Sequence, residues 1–218
     1  MLPSEPIHPL KDVWLRPRRV FRELSTRPVS IVDFLLAAVV GTGNFMALYR
    51  AQGAGAHGSV AGILGSAMAY GTVAGMTSLL FMGVIYARLS ARFGGKATVA
   101  QVMHVLAYGS VPMAASVGVW VLAALLIGET AFVATPRAGL EGFPAILLNL
   151  QLAVYILLFV WSVVLQVMGL SEIQAFALRR AFGVWLLGQL VGLLASIFLA
   201  QLLEILFSST LLHLIPNR

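Results

Sequence analysis

Five long apolar stretches divide this chain, and the basic residues around them alternate. Eleven of the fourteen Lys and Arg residues fall in three of the six segments that flank or separate the stretches. The segment before the first stretch holds Lys11, Arg16, Arg18, Arg19, Arg22 and Arg27; the one between the second and third holds Arg88, Arg92 and Lys96; and Arg179 and Arg180 lie between the fourth and fifth. The other three segments carry Arg50, Arg137 and Arg218, one each. A helix needs roughly 20 apolar residues to cross about 30 Å of hydrocarbon. Basic flanks stay on the cytoplasmic side during insertion. The pattern therefore predicts an all-α integral membrane protein, a five-transmembrane-helix bundle with its N-terminus inside and its C-terminus outside, in the cell inner (cytoplasmic) membrane.

Composition agrees. A 60% apolar fraction, a 10% charged fraction and a mean hydropathy of +0.94 leave too little polar surface to cover a soluble globule. The net charge of +6 is accounted for by topology and does not point to a nucleic-acid partner. With no cysteine, disulfides, thiolate metal sites and cysteine nucleophiles are excluded. No short apolar core with a small-residue cleavage site follows the first basic residues, so no cleaved signal is expected.

The expected spans are about 31–49, 61–86, 102–127, 144–170 and 182–207, forming a transmembrane domain over 31–218 behind a basic cytoplasmic segment over 1–30. Within that segment Pro17 suits a first helical turn, and Val20, Phe21 and Leu24 share a face away from Arg18, Arg19 and Arg22. With Trp14 nearby, this predicts an amphipathic interfacial helix resting on anionic lipid. Thr98 with Gln101, and Ser171 with Gln174, have capping-box spacing and predict the starts of the third and fifth helices. Pro112 removes a backbone donor and predicts a kink just inside the third span, eased by Gly109 and Ser110.

Small residues at four-residue spacing, Gly71 with Gly75 and Gly188 with Gly192, predict close helix packing in the second and fifth spans. Packing within one chain is expected first, with a homo-oligomer as the alternative. Gln151, Gln189 and Gln201, with Asn44 and Asn149, are expected to hydrogen-bond between helices. Ionisable groups in hydrocarbon are costly and mark functional positions. Asp33 and His104 both lie near the cytoplasmic end and are able to meet, with Tyr108, Gln166 or Glu172 as further members of a cluster. Glu204 lies towards the outer end of the last span. Asp33, His104, Tyr108 and Glu204 are therefore the candidates for a polar pathway.

Enzyme motifs are weak or missing. Gly94-Gly95-Lys96 imitates the end of a phosphate loop, but Ala97 replaces the required hydroxyl and the upstream glycine is absent. His8, His57, His104 and His213 have no metal-ligand spacing, and no nucleophile elbow occurs. No enzymatic activity, cofactor or metal is expected.

The run Gly94-Gly95-Lys96-Ala97-Thr98, followed by Val105-Leu106-Ala107-Tyr108-Gly109-Ser110-Val111-Pro112, resembles the basic loop and third helix of the Yip (Ypt-interacting protein) domain family. Trp14-Leu15-Arg16-Pro17 and Val20-Phe21 resemble the N-terminal entry of its bacterial-type members, and Gly169 to Ala177 the junction before their last helix. The resemblance implies a five-span fold. Eukaryotic relatives act in the early secretory pathway and are thought to engage Rab-type GTPases, but this chain lacks their long polar extension, so GTPase binding is not carried over.

Two functions follow as expectations. One is a non-enzymatic organiser that binds anionic membrane lipids or a cytosolic protein partner through Trp14, Arg16, Arg18, Arg19, Arg22, Arg88, Arg92 and Lys96. The other is a lipid-translocating or small-solute, proton-linked transporter using Asp33, His104, Tyr108 and Glu204.

Overall fold

The computed structural model describes residues 7–134 and 142–214, with the side chains of the last helix described as far as Phe198. All regular structure among the described residues is helical. Two short helices, α1 (Pro9–Asp12) and α2 (Pro17–Leu24), precede α3 (Ile31–Ala51), α4 (Val60–Arg92), α5 (Val99–Gly109), α6 (Val111–Ile127), α7 (Phe143–Gln174) and α8 (Leu178–Leu214). Five candidate spans result: 31–51, 60–92, 99–132, 143–174 and 178–198, with α5 and α6 together supplying the third. At 1.5 Å per residue the 33 residues of α4 reach about 50 Å, against about 30 Å of hydrocarbon. Its last turns, with Arg88 and Arg92, therefore extend well past the apolar stretch read from the sequence.

Large apolar side chains point outward along the spans, including Leu125 at 75% exposure, Leu157 at 68% and Phe198 at 67%. A water-facing surface of this kind would aggregate, whereas hydrocarbon covers it at no cost. What remains for the interior is small residues and a limited apolar core.

That core has two layers. One, at the end that carries the N-terminal segment, gathers Val20, Phe21, Tyr86, Val105, Leu165 and Leu170. The other, at the opposite end, gathers Met46, Ile63, Trp120 and Phe132. A cavity of about 420 Å³ lies between them, touching Leu79, Tyr86 and Ala107 on one side and Phe45 on the other.

The glycine stripes are used within the chain. A Cβ at Gly71 would sit 2.7 Å from the Gly41 carbonyl oxygen, and one at Gly75 would sit 3.1 Å from the Gly41 Cα. The α3 and α4 backbones thus touch, with Gly41 as the partner that the sequence reading did not single out. Gly188 accommodates the Tyr86 ring, and Gly192 lies under the Met82 thioether, where a Cβ would be 2.7 Å from the sulfur. Tyr86 Oη donates to the Trp185 carbonyl oxygen at 2.8 Å, which fixes α8 on α4.

Two expectations need correction and one does not. The break at Gly109 and Ser110 lies just before Pro112, where a kink was expected, with α5 ending at Gly109 and α6 starting at Val111. Ser110 Oγ donates to the Leu106 carbonyl oxygen at 2.7 Å, and the Met113 N–H donates to Ser162 Oγ on α7 at 3.2 Å. Ser110 at the break and Ser162 of α7 thus complete backbone groups that the break frees. Ser171 and Gln174 do not start a helix. They end α7: Ser171 Oγ donates to the Phe176 carbonyl oxygen at 2.7 Å, after Ala175 takes a left-handed conformation at φ 53°. Finally, the apolar face of α2 does not enter lipid. Val20, Phe21 and Leu24 are 0%, 1% and 3% exposed, packed against α5 and α7. Gly169 on α7 supplies the flat place where the Phe21 ring rests.

Candidate functional site

The polar groups of the bundle concentrate at the end that carries the N-terminal segment. Ser30 is the N-cap of α3, and its backbone N–H donates to Asp33 Oδ2 at 2.8 Å while its hydroxyl donates to the same oxygen at 3.0 Å. The other carboxylate oxygen, Asp33 Oδ1, faces His104 Nδ1 at 2.7 Å. On the far side of the imidazole, His104 Nε2 donates to the Arg27 carbonyl oxygen at 3.1 Å. A carbonyl oxygen accepts only, so Nε2 carries a proton and a second proton lies between Nδ1 and Oδ1. One residue pair thus joins the start of α3, the middle of α5 and the segment between α2 and α3.

Further bonds secure the same segment. Gln101 closes a capping box with Thr98 at the start of α5, as the spacing predicted, and its Nε2 donates to the Ser25 carbonyl oxygen at 3.0 Å. Arg22 on α2 donates through Nε to Glu172 Oε1 on α7 at 2.8 Å. Arg27 pairs with Glu23. The loop between α4 and α5 is held by Gln174, whose Oε1 accepts from the Ala97 N–H at 3.0 Å.

The structure therefore brings Asp33 and His104 together, with the Tyr108 ring 6.4 Å from the imidazole. It does not bring in Gln166 or Glu172. Gln166 donates to Ser110 Oγ at 2.8 Å and accepts from the Trp185 indole N–H at 2.8 Å, while Glu172 is taken by Arg22. Asp33, His104 and Tyr108 are 0%, 2% and 6% exposed, and none of them lines the 420 Å³ cavity. The side chain of Glu204 lies outside the described residues. A linked pathway through these four positions has no support in this geometry.

Around the buried pair lies a cationic rim. Arg16, Arg18, Arg22, Arg88, Arg92, Lys96, Arg179 and Arg180 are exposed, Arg19 is partly buried, and Trp14 is half-buried against the core. No group of three or more metal-ligating side chains occurs among the described residues.

Ser30, Gln101 acting on Ser25, and Gln174 acting on Ala97 were not anticipated. Ser30 with Asp33 has the same spacing as the capping boxes read elsewhere, so that one was available from sequence. The other two join residues 76 and 77 positions apart, and no local pattern reports them.

No curated protein and no solved structure matches this chain. A family model does: the Yip1 domain matches residues 11–200. That range takes in α2 on its docking face, the Asp33–His104 pair, the basic loop before Thr98 and all five candidate spans, and the chain belongs to the Yip1 domain family.

Proposed function

We propose that the protein is a non-enzymatic membrane organiser of the cell inner membrane, with its N-terminal end in the cytoplasm. Its rim of Trp14, Arg16, Arg18, Arg19, Arg22, Arg88, Arg92 and Lys96 gathers anionic lipid headgroups or an acidic cytosolic protein. The observation that carries this reading is the docking of α2. Its apolar face is buried in the bundle while Arg18 is exposed and Arg22 is held at the edge by Glu172, so the cations of α2 are held at the same end as those of Arg88, Arg92 and Lys96. Each basic side chain near an anionic surface contributes about 1 kcal/mol, screened beyond roughly 8–10 Å at physiological salt. The alternation of basic segments in the sequence supports the reading that this end faces the cytoplasm.

The test is lipid enrichment. Protein reconstituted in a mixed bilayer of anionic and zwitterionic phospholipids, then extracted and purified, retains an excess of the anionic lipid that falls as salt is raised. Reversing Arg18, Arg88 and Arg92 to Glu in a folded variant removes the excess. Enrichment that survives this reversal at every salt concentration rules the reading out.

A further inference from the structure

At the opposite end of the bundle, a second cavity of about 320 Å³ is lined by Ala47, Arg50, Trp120, Gln151, Leu152 and Tyr155, among others. Its polar equipment is one-sided. Trp120 and Gln151 are each 3% exposed, and the Trp120 indole nitrogen and Gln151 Nε2 have no hydrogen-bond partner. Arg50 lies between them, with Nη1 donating to Gln151 Oε1 at 3.4 Å and its guanidinium carbon 5.9 Å from the Trp120 ring centre. That bond takes up the acceptor oxygen of the Gln151 amide and leaves its NH₂ group to face elsewhere. No carboxylate of the described residues pairs with Arg50.

Buried donors without acceptors each cost about 1–3 kcal/mol and call for a partner that only accepts. Trp120 and Gln151, each with an unmet donor, and Arg50 line one recess, so the partner that would satisfy them has several acceptor oxygens and a negative charge. Arg50 stands in the last turn of the first span, the depth at which long cationic side chains reach the headgroup layer. The walls are apolar, and Tyr155 lines both this recess and the 420 Å³ cavity that runs deeper between the helices. An amphiphile with an acceptor-rich anionic head and a hydrocarbon tail matches both spaces.

We infer that Arg50, Trp120 and Gln151 bind the phosphate of a membrane phospholipid from the leaflet opposite the basic end, with an acyl chain entering the adjoining cavity. The site is independent of the basic rim. It reads the phosphodiester, which zwitterionic lipids share, whereas the rim reads net negative charge.

The test uses short-chain phosphatidylcholine, which is zwitterionic and leaves the rim unengaged. The full chain is purified in a maltoside detergent and its thermal unfolding followed with this lipid, with a diacylglycerol of the same chain length, with a fatty acid, and with inorganic phosphate. Phosphatidylcholine is expected to raise the melting temperature in a concentration-dependent way, and the other three are not. Trp120→Phe and Gln151→Leu each remove a donor of the site and weaken the apparent affinity roughly ten- to hundredfold. Trp120→Phe keeps an aromatic ring against Phe132, whose centre lies 5.8 Å from that of Trp120. It also relieves an unmet donor, so its lipid-free melting temperature is unchanged or higher. A purely structural role for Trp120 predicts a fall. An equal shift with inorganic phosphate shows an ion site only, an equal shift with the fatty acid shows a carboxylate site, and either overturns the lipid assignment. So do the absence of any shift and an undiminished shift in both variants.

Discussion

His104 and Asp33 face each other across 2.7 Å with side-chain exposures of 3% and 0%, and the other ring nitrogen of the imidazole bonds to the Arg27 backbone. The pair sits near the start of the first span, where α3, α5 and the α2–α3 segment meet. Its geometry is that of a structural clasp, closed on both ring nitrogens and both carboxylate oxygens.

Breaking a buried ionic pair by removing one partner costs about 3–5 kcal/mol, because the other is left unmatched. Asp33→Asn and His104→Phe are each expected to lower thermal stability in detergent by an amount in that range, with Asp33→Asn also weakening the cap at Ser30. The double variant is expected to fall short of the sum by about 0.5–3 kcal/mol, the coupling typical of residues in contact. Strict additivity in the double-mutant cycle would show that the two side chains do not act as a unit.

The contact of α3 with α4 offers a sharper steric test. A Cβ at Gly71 would lie 2.5 Å from the Thr42 Cα, and a backbone neighbour has nowhere to rotate. Gly71→Ala is expected to cost about 1–3 kcal/mol through forced separation of the two helices. Gly65→Ala, in the same helix with nothing within 4 Å of its Cβ, is expected to be neutral or to stabilise by up to about 1 kcal/mol, because Ala is the better helix former. Melting curves of the two variants side by side decide the matter; equal effects would mean that the backbones are not in contact.

The spans, the Thr98 cap and the packing role of Gly71, Gly75, Gly188 and Gly192 were legible in the sequence because each rests on local spacing: length, an i to i+3 pair, or a four-residue repeat. Gly41 was missed although Ala37 and Gly41 have the same four-residue spacing on α3, and both of them meet Gly75. The meeting of Asp33 with His104 stayed open, since 71 positions separate them. Ser171 and Gln174 misled for a different reason. A hydroxyl three residues before an amide has the same spacing whether it opens a helix or closes one, and here Gln174 turns to the α4–α5 loop. The donor set of Arg50, Trp120 and Gln151 comes from three helices and has no signature along the chain.

The docking of α2 separates two surfaces that an amphipathic pattern cannot tell apart, lipid and protein. Phe21 is 1% exposed, and truncating a buried Phe to Ala typically costs about 3–5 kcal/mol. In Phe21→Ala the bonds from Arg22 to Glu172 and from Gln101 to Ser25 remain, but the apolar contact is lost. Trypsin is expected to cut after Arg18, Arg19 and Arg22 far faster than in the parent protein, in detergent with no lipid present. Unchanged cleavage without lipid, together with faster cleavage only on removal from a bilayer, would return α2 to the membrane surface.

The break between α5 and α6 yields the last prediction. Proline removes a donor and usually explains a helix break by itself, yet the groups around this one are held by other helices. The Met113 N–H is met by Ser162 of α7, and Ser110 Oγ accepts from Gln166, which in turn accepts from Trp185 of α8. If the tertiary bonds fix the break, Pro112→Ala keeps it and changes stability by less than about 1 kcal/mol. Ser162→Ala leaves the buried Met113 N–H unmet and costs about 1–3 kcal/mol. Gln166→Leu strands both the Ser110 hydroxyl and the Trp185 indole, so it is expected to cost more than Ser162→Ala. Thermal unfolding of the three variants gives the order. A large loss in Pro112→Ala with little change in the other two would assign the break to the proline alone.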